Sequence, residues 1–269
     1  MSVARTALKM TSAAVDALRR PAPGLVVLIY HRVGRRSAIE VDLPRAAFAD
    51  QMAFLAQATN VVTLHDGLAR LTDPAAPREP LVAVTFDDGT ADFADEAVPV
   101  LVEHRVPATI YVATDYVDRG RAFPDDGTPL SWAALRDTVA TGLVDVGSHT
   151  HTHALLDRLD ATEIDAELDR SIDDITEQVG TRPQHFAYPK AVMGSAEADA
   201  AVRARFRSAA VAGTRANEYG RTDPYRLTRS PVQVSDGMRW FEAKVRGGMA
   251  FEDAVRRKVN LARYRGATT

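Results

Sequence analysis

The 269-residue chain contains no cysteine. That excludes disulfides, thiolate-ligated zinc and a thiol nucleophile, and leaves the compartment open. Neither sign of charge dominates: 33 Lys and Arg stand against 36 Asp and Glu, for a formal net charge of -3. No basic stripe with interleaved aromatics occurs, so no nucleic-acid partner is expected. No run reaches the ~18 apolar residues that a membrane-spanning helix requires. Residues 1–20 also lack the apolar core of a secretory signal, which sets the expectation of a cytoplasmic protein. There is no internal repeat and no low-complexity tract.

What remains is a composition 46% hydrophobic and 26% charged, typical of a soluble globular chain with a sizeable core. Apolar runs and helical periodicities alternate along it. Leu25–Tyr30, Leu81–Phe86, Ala108–Ala113 and Leu143–Gly147 read as strands, as do the shorter Val61–Leu64, His185–Tyr188, Ser208–Ala212 and Tyr225–Thr228. Helical spacing appears at Phe48, Met52 and Leu55, over Asp92–His104, and after Ser131. The clearest helix is Thr162–Val179, with Thr162 and Asp165 resembling a capping box and Gly180 as its stop. A basic helical stretch covers Gly237–Tyr264. Strand–helix alternation predicts a parallel sheet with right-handed crossovers, and about seven strands would close it into a distorted (β/α) barrel.

The expected layout is an N-terminal amphipathic extension over 1–24, a barrel over 25–235 and a basic helical extension over 236–269. In the first, Val3, Ala7, Leu8, Val15 and Leu18 share a helical face beside Arg5, Lys9, Arg19 and Arg20. That suits a helix packed on the outside of the barrel, with peripheral membrane contact as the second reading. The C-terminal cations Arg246, Arg256, Arg257, Lys258, Arg263 and Arg265 suit a solvated face, or contact with anionic lipid or a partner.

The unusual polar residues share one placement, the carboxyl ends of strands, where barrel active sites lie. Asp87 and Asp88 close the run Leu-Val-Ala-Val-Thr-Phe and precede Gly89. Adjacent carboxylates repel, and a cation resolves this: one binds it and the other stays free to move a proton. His149 and His153, four apart, fall on one side of a helical turn or a strand. Two imidazoles and one carboxylate form a facial three-ligand set with positions left for water and substrate. Between them, His151 would be a ligand in an extended segment. An Asp-Asp-Gly can be a plain turn, and a His-rich stretch a solvated loop, but both together at strand ends favour chemistry. His31 follows the first strand and Arg229 ends the last. His65, His104 and His185 read as structural.

Thr85-Phe86-Asp87-Asp88-Gly89 and His149-Thr150-His151-Thr152-His153 resemble the first two motifs of the NodB-homology polysaccharide deacetylases, carbohydrate esterase family 4. Tyr30-His31-Arg32-Val33 and Tyr225-Arg226-Leu227-Thr228-Arg229 look like a subgroup associated with bacterial exopolysaccharides. The resemblance implies a seven-stranded barrel and metal-dependent hydrolysis of an acetamido group on an N-acetylated sugar or glycan. It implies Asp87 as general base and Asp88, His149 and His153 as holders of a divalent cation. That donor set suits zinc best, with cobalt, nickel and manganese compatible. The chain departs from the family pattern at three places. Where the third motif has Arg-x-Pro-Tyr, this chain reads Ala187-Tyr188-Pro189-Lys190, so the arginine that orients the catalytic aspartate is absent, while a backbone N–H for the oxyanion survives at Lys190. There is no match to the family's tryptophan motif. Arg229 replaces the general-acid histidine of Leu-x-His. Two compensations are expected: His31 as the proton donor, or Arg229 beside Asp87 in place of the missing arginine. The alternatives are a catalytically weak or inactive metal-containing carbohydrate-binding protein and a non-sugar amide or imide hydrolase on the same fold.

Overall fold

Four of the seven barrel strands are buried along their whole length and the other three at most of their positions, because each has a neighbour on both sides and a layer on both faces. The computed structural model of the chain describes residues 3–18 and 22–264. Helix α1 (Val3–Leu18) precedes β1 (Gly24–Tyr30), and β2 (Arg32–Val33) pairs with β3 (Asp42–Leu43) in a small parallel ladder. Helices α2 (Arg45–Ala58) and α3 (Leu64–Thr72) lead to β4 (Leu81–Phe86). A π-helical turn at Phe93–Ala97 opens α4 (Val98–His104). Then come β5 (Ala108–Val112), α5 (Thr114–Arg119), α6 (Trp132–Ala140), β6 (Val144–Ser148) and the long α7 (Ala161–Val179). The chain continues with β7 (His185–Ala187), α8 (Ala196–Arg205), β8 (Ser208–Ala212), β9 (Asn217–Glu218) and β10 (Leu227–Pro231). It closes with α9 (Gly237–Val245) and α10 (Ala250–Tyr264).

The parallel order β1-β4-β5-β6-β7-β8-β10 returns to β1, because β10 pairs with β1 from Val27 opposite Arg229. This is the closed seven-stranded α/β barrel expected from the alternation of strands and helices. Strand β9 lies antiparallel against the start of β1. There the Asn217 side chain donates to the carbonyls of Leu25 and Thr228 and accepts the Thr228 N–H, stitching the seam between first and last strands.

The period of two along each strand divides the core. Val26, Leu28, Tyr30, Val82, Val84 and Phe86 face the helices, where Tyr30, Phe48, Phe86 and Phe93 pack ring against ring. On the opposite face Val27, Ala83, Tyr111, Ala187 and Ala210 fill the interior, and α3 contributes Leu64, Leu68 and Leu71. The lumen is crowded: a Cβ on Gly147 would stand 2.5 Å from the Tyr111 ring.

Local corrections follow from side chains that bond the backbone. Val61–Leu64 is not a strand. Val61 makes one bridge to Val82, and Thr63 then caps α3 by accepting the Asp66 N–H. The capping box of α7 is Asp160 with Glu163, two residues before Thr162 and Asp165, because Asp160 takes the extended conformation a cap requires. The last barrel strand starts at Leu227, a 3-10 turn occupying Pro224–Arg226. The C-terminal helix is two helices, broken at Gly247 and Gly248. Helix α1 does dock on the body of the protein, but its Lys9 and Ser12 are buried while Ala7 and Leu18 are exposed. Arg19, Arg20 and Arg265 lie outside the described residues, as do the side chains of Val3, Arg5, Arg257 and Arg263.

Candidate metal centre

The strand β4 delivers Asp87 and Asp88 to one barrel rim, and β6 delivers the His149–His153 loop beside them through the parallel β4–β5–β6 ladder. The Asp88 carboxylate lies 3.7 Å from His149 Nε2 and 3.4 Å from His153 Nε2. One ligand atom from each of Asp88, His149 and His153 falls within a 4.8 Å cluster. The set fits a divalent cation on a second ground. His149 Nδ1 lies 2.7 Å from the Ala187 carbonyl, so Nδ1 carries the proton and Nε2 presents its lone pair to the cluster. Burial, the largest influence, pushes the His149 imidazole down to about 4, which keeps it an unprotonated donor at neutral pH. Its side chain is 1% exposed, whereas Asp88 and His153 are 19% and 13% exposed, so protein backs one side of the cluster and the other is open.

Backbone strain accompanies this placement. Asp88, Thr150 and His153 have φ of 77°, 65° and 65°, a left-handed conformation that costs a residue with a Cβ on the order of 1 kcal/mol. The loop is held by Glu167 on α7. Its Oε2 accepts the N–H groups of His151 and Thr152 at 2.9 and 2.8 Å, and its Oε1 accepts the Thr152 hydroxyl at 2.7 Å. His151 turns away from the cluster. Its Nδ1 meets Thr114 Oγ1 at 2.8 Å and Asp174 at 3.1 Å, so it is not brought together with the other two histidines.

Asp87 is buried next to the cluster, with Oδ2 3.8 Å from His149 Nε2. Arg229 grips it with both arms, Nη1 to Oδ1 at 2.6 Å and Nη2 to Oδ2 at 2.8 Å. Arg229 is itself 0% exposed, sits over the Tyr111 ring and reaches Thr85 Oγ1 at 3.2 Å. Burial alone would raise the Asp87 carboxyl. The Arg229 charge, followed by His149, its hydrogen bond to Arg229 and His31, outweighs burial and holds Asp87 below the usual carboxylate range. Asp88 is likewise lowered: burial opposes ionisation, while His153, His31 and His149 favour it.

His31 follows β1, close enough to influence both aspartates, and its Nδ1 is buried with no hydrogen-bond partner. Pro189 is buried beyond β7, and Lys190 is exposed with φ 53°. The Tyr188 phenol points elsewhere, 3.4 Å from Asp199 on α8. A cavity of about 770 Å³ lies at the opposite ends of β1 and β4, among Gly24, Val26, Phe54, Pro80 and Val82, and includes none of these site residues. Sequence reasoning missed Glu167 and Tyr111, and gave Thr85 only as a member of the first motif, with no role. Thr85 and Tyr111 carried a signal, being polar atoms on the inward face of otherwise apolar strands; Glu167 carried none.

The polysaccharide deacetylase family model matches residues 75–209, half of the chain. Among solved structures, IcaB from Ammonifex degensii is 27% identical, with a TM-score of 0.71 over 84% of this chain and 98% of that one. The Streptococcus pyogenes deacetylase PplD in complex with acetate is 18% identical, with a TM-score of 0.72 over 83% of this chain and 99% of that one, a likeness of fold. The Bacillus subtilis protein YxkH is 25% identical over 145 residues, 54% of this chain and 48% of its own length. The match thus spans about half or less of the curated relatives' length.

Proposed function

Because the chain belongs to the polysaccharide deacetylase (NodB/CE4) family, we propose that it is a metal-dependent N-deacetylase. Its substrate would be an N-acetylhexosamine unit of a bacterial glycan, glycan precursor or glycoside. The observation that carries this reading is the bidentate Arg229–Asp87 pair beside a cluster able to hold a metal. Asp88, His149 and His153 would hold the ion, zinc suiting two imidazoles and a carboxylate best. A cation there supplies Lewis acidity, polarising the acetyl carbonyl and acidifying water.

The residues of the chain do the rest. Asp87, ionised and unable to rotate in the fork of Arg229, takes the proton of the attacking water. The fixed charge of Arg229 rules it out as a proton donor but suits it to orient a carboxylate, the duty of the arginine absent at Ala187. The Lys190 backbone N–H is assigned to the oxyanion, with Tyr188 and Pro189 shaping that turn. His31, close enough to influence both aspartates, is assigned the protonation of the leaving amine. The products are acetate and the free amino sugar.

The test is acetate release from a panel of N-acetylhexosamine oligomers and glycosides by zinc-loaded protein. Asp87→Asn should abolish release and His31→Gln should lower it by about 10²–10⁴-fold, both with metal content intact. Unchanged turnover in His31→Gln removes that residue from the mechanism. No release from any substrate, with stoichiometric metal bound, would move the assignment to a binding role or a non-sugar amide.

A further inference from the structure

The two terminal helices are amphipathic in the reverse of the usual sense. A surface helix normally turns its apolar stripe to the core and its charges to water. In α1, Lys9, Ser12 and Asp16 form the inward stripe, with Lys9 1% and Ser12 0% exposed. Lys9 pairs with Asp236 and lies 3.4 Å from Glu252 of α10. Asp16 accepts the Met249 N–H at 2.5 Å, and Ser12 Oγ accepts the Glu252 N–H at 3.3 Å. The apolar stripe of α1, spaced by three and four residues at Ala7, Met10, Ala14 and Leu18, is exposed throughout, Met10 by 51% and Leu18 by 88%. Helix α10 repeats the pattern: Asp253 is 3% exposed, while Phe251 and Val259 are 43% and 60% exposed. Of the six exposed large apolar side chains among the described residues, four are therefore on these two helices, which pack against each other.

Charge is distributed to match. Residues 1–20 hold four Lys and Arg against one Asp, and residues 237–269 hold eight against three Asp and Glu; Lys9 and Lys244 are consumed in the buried pairs with Asp236, while Arg239, Arg246 and Lys258 are exposed. The ends of the chain are thus cationic although the whole carries -3, so the segment between them is strongly acidic. We propose that α1 and α10 form a docking face for an anionic lipid surface, the apolar stripes entering the acyl boundary and exposed cations such as Arg239, Arg246 and Lys258 meeting the headgroups. Two copies of the chain apposed through this face would bring like charges together, whereas an anionic bilayer satisfies both stripe and charge. The buried ion pairs beneath fix the helices in this orientation.

The experiment is co-sedimentation of the full chain with vesicles of phosphatidylcholine alone or mixed with phosphatidylglycerol, at low and high salt. Binding is expected on the mixed vesicles, weakening as salt rises. Met10→Glu with Phe251→Glu should reduce the partition coefficient at least about tenfold, with the melting transition preserved. Leu18→Glu, at a side chain nearly free of contacts, should weaken binding in the same direction. The proposal is overturned if the wild type stays in solution with the mixed vesicles, or if the double variant partitions as the wild type does. It is also overturned if the wild type is a dimer that these substitutions disperse, since a second copy would then cover the face.

Discussion

Arg229 and Asp87 form one unit: a guanidinium with no exposed surface and a carboxylate that nothing else neutralises as directly. Arg229→Gln leaves that carboxylate buried without its cation, which should cost about 3–5 kcal/mol in denaturant unfolding. It should also raise the acid limb of the pH–rate profile, because the Arg229 charge is the largest influence lowering Asp87. Arg229→Lys should recover part of both, lacking only the fork. A second titration belongs to His185. Its imidazole is held at about 4 by burial, with His65 and Arg207 adding to the shift, while the unfolded chain titrates near 6.5. The folded state therefore binds fewer protons, so stability is full above 6.5 and falls as pH drops toward 4, by on the order of 3 kcal/mol over that window. Unfolding of His185→Gln at a series of pH values should show a shallower slope than the wild type. The identities at these positions were legible in the sequence, since Asp87, Asp88, His149 and His153 declare themselves by type and spacing. The choice between His31 and Arg229 as compensators was not, because only distances show that Arg229 clasps Asp87 and that the His31 ring nitrogen has no partner.

At the scale of elements, the loop that carries His149 and His153 depends on a helix from another part of the chain. Glu167 on α7 anchors His151 and Thr152 between His149 and His153, the two histidines of the candidate metal cluster. Glu167→Ala should weaken zinc binding about 10–100-fold, the usual effect of losing an outer partner of a metal site, measured by competition with a chromophoric chelator. Glu167→Gln, which keeps an acceptor oxygen, should lie between. The long apolar strands and α7 were legible because burial on both faces, or on one stripe, leaves a period in the sequence. Helix α8 was not: Ala-Glu-Ala-Asp-Ala-Ala-Val-Arg-Ala-Arg buries only Ala198 and Val202 and shows little periodicity. The strand assigned to Val61–Leu64 failed where a side-chain cap at Thr63 outcompeted sheet pairing.

Over the whole molecule, the two ends of the chain meet at Asp236, buried between Lys9 of α1 and Lys244 of α9. Asp236→Ala strands two buried ammonium groups and should lower the unfolding free energy by about 3–5 kcal/mol, whereas Lys9→Met, which leaves the Asp236–Lys244 pair, should cost less. Denaturant titration of both variants distinguishes a shared anchor from independent contacts. Barrel closure was legible from the count of strands at regular spacing. The reversed docking of α1 was not, because amphipathic periodicity identifies two faces without saying which one turns inward.

The seam between β1 and β10 also bears on the order in which the protein is made. Asp87 emerges from the ribosome well before Arg229, 142 residues further on. Until β10 inserts between β8 and β1, the barrel has two open edges and Asp87 lacks the guanidinium that holds it. A chain truncated before Leu227 would retain both signature motifs with Asp87, Asp88, His149 and His153, yet have neither a closed sheet nor a clamped Asp87. The site thus depends on the last strand: a nascent fragment that carries both signature motifs still lacks Arg229, the clamp on Asp87.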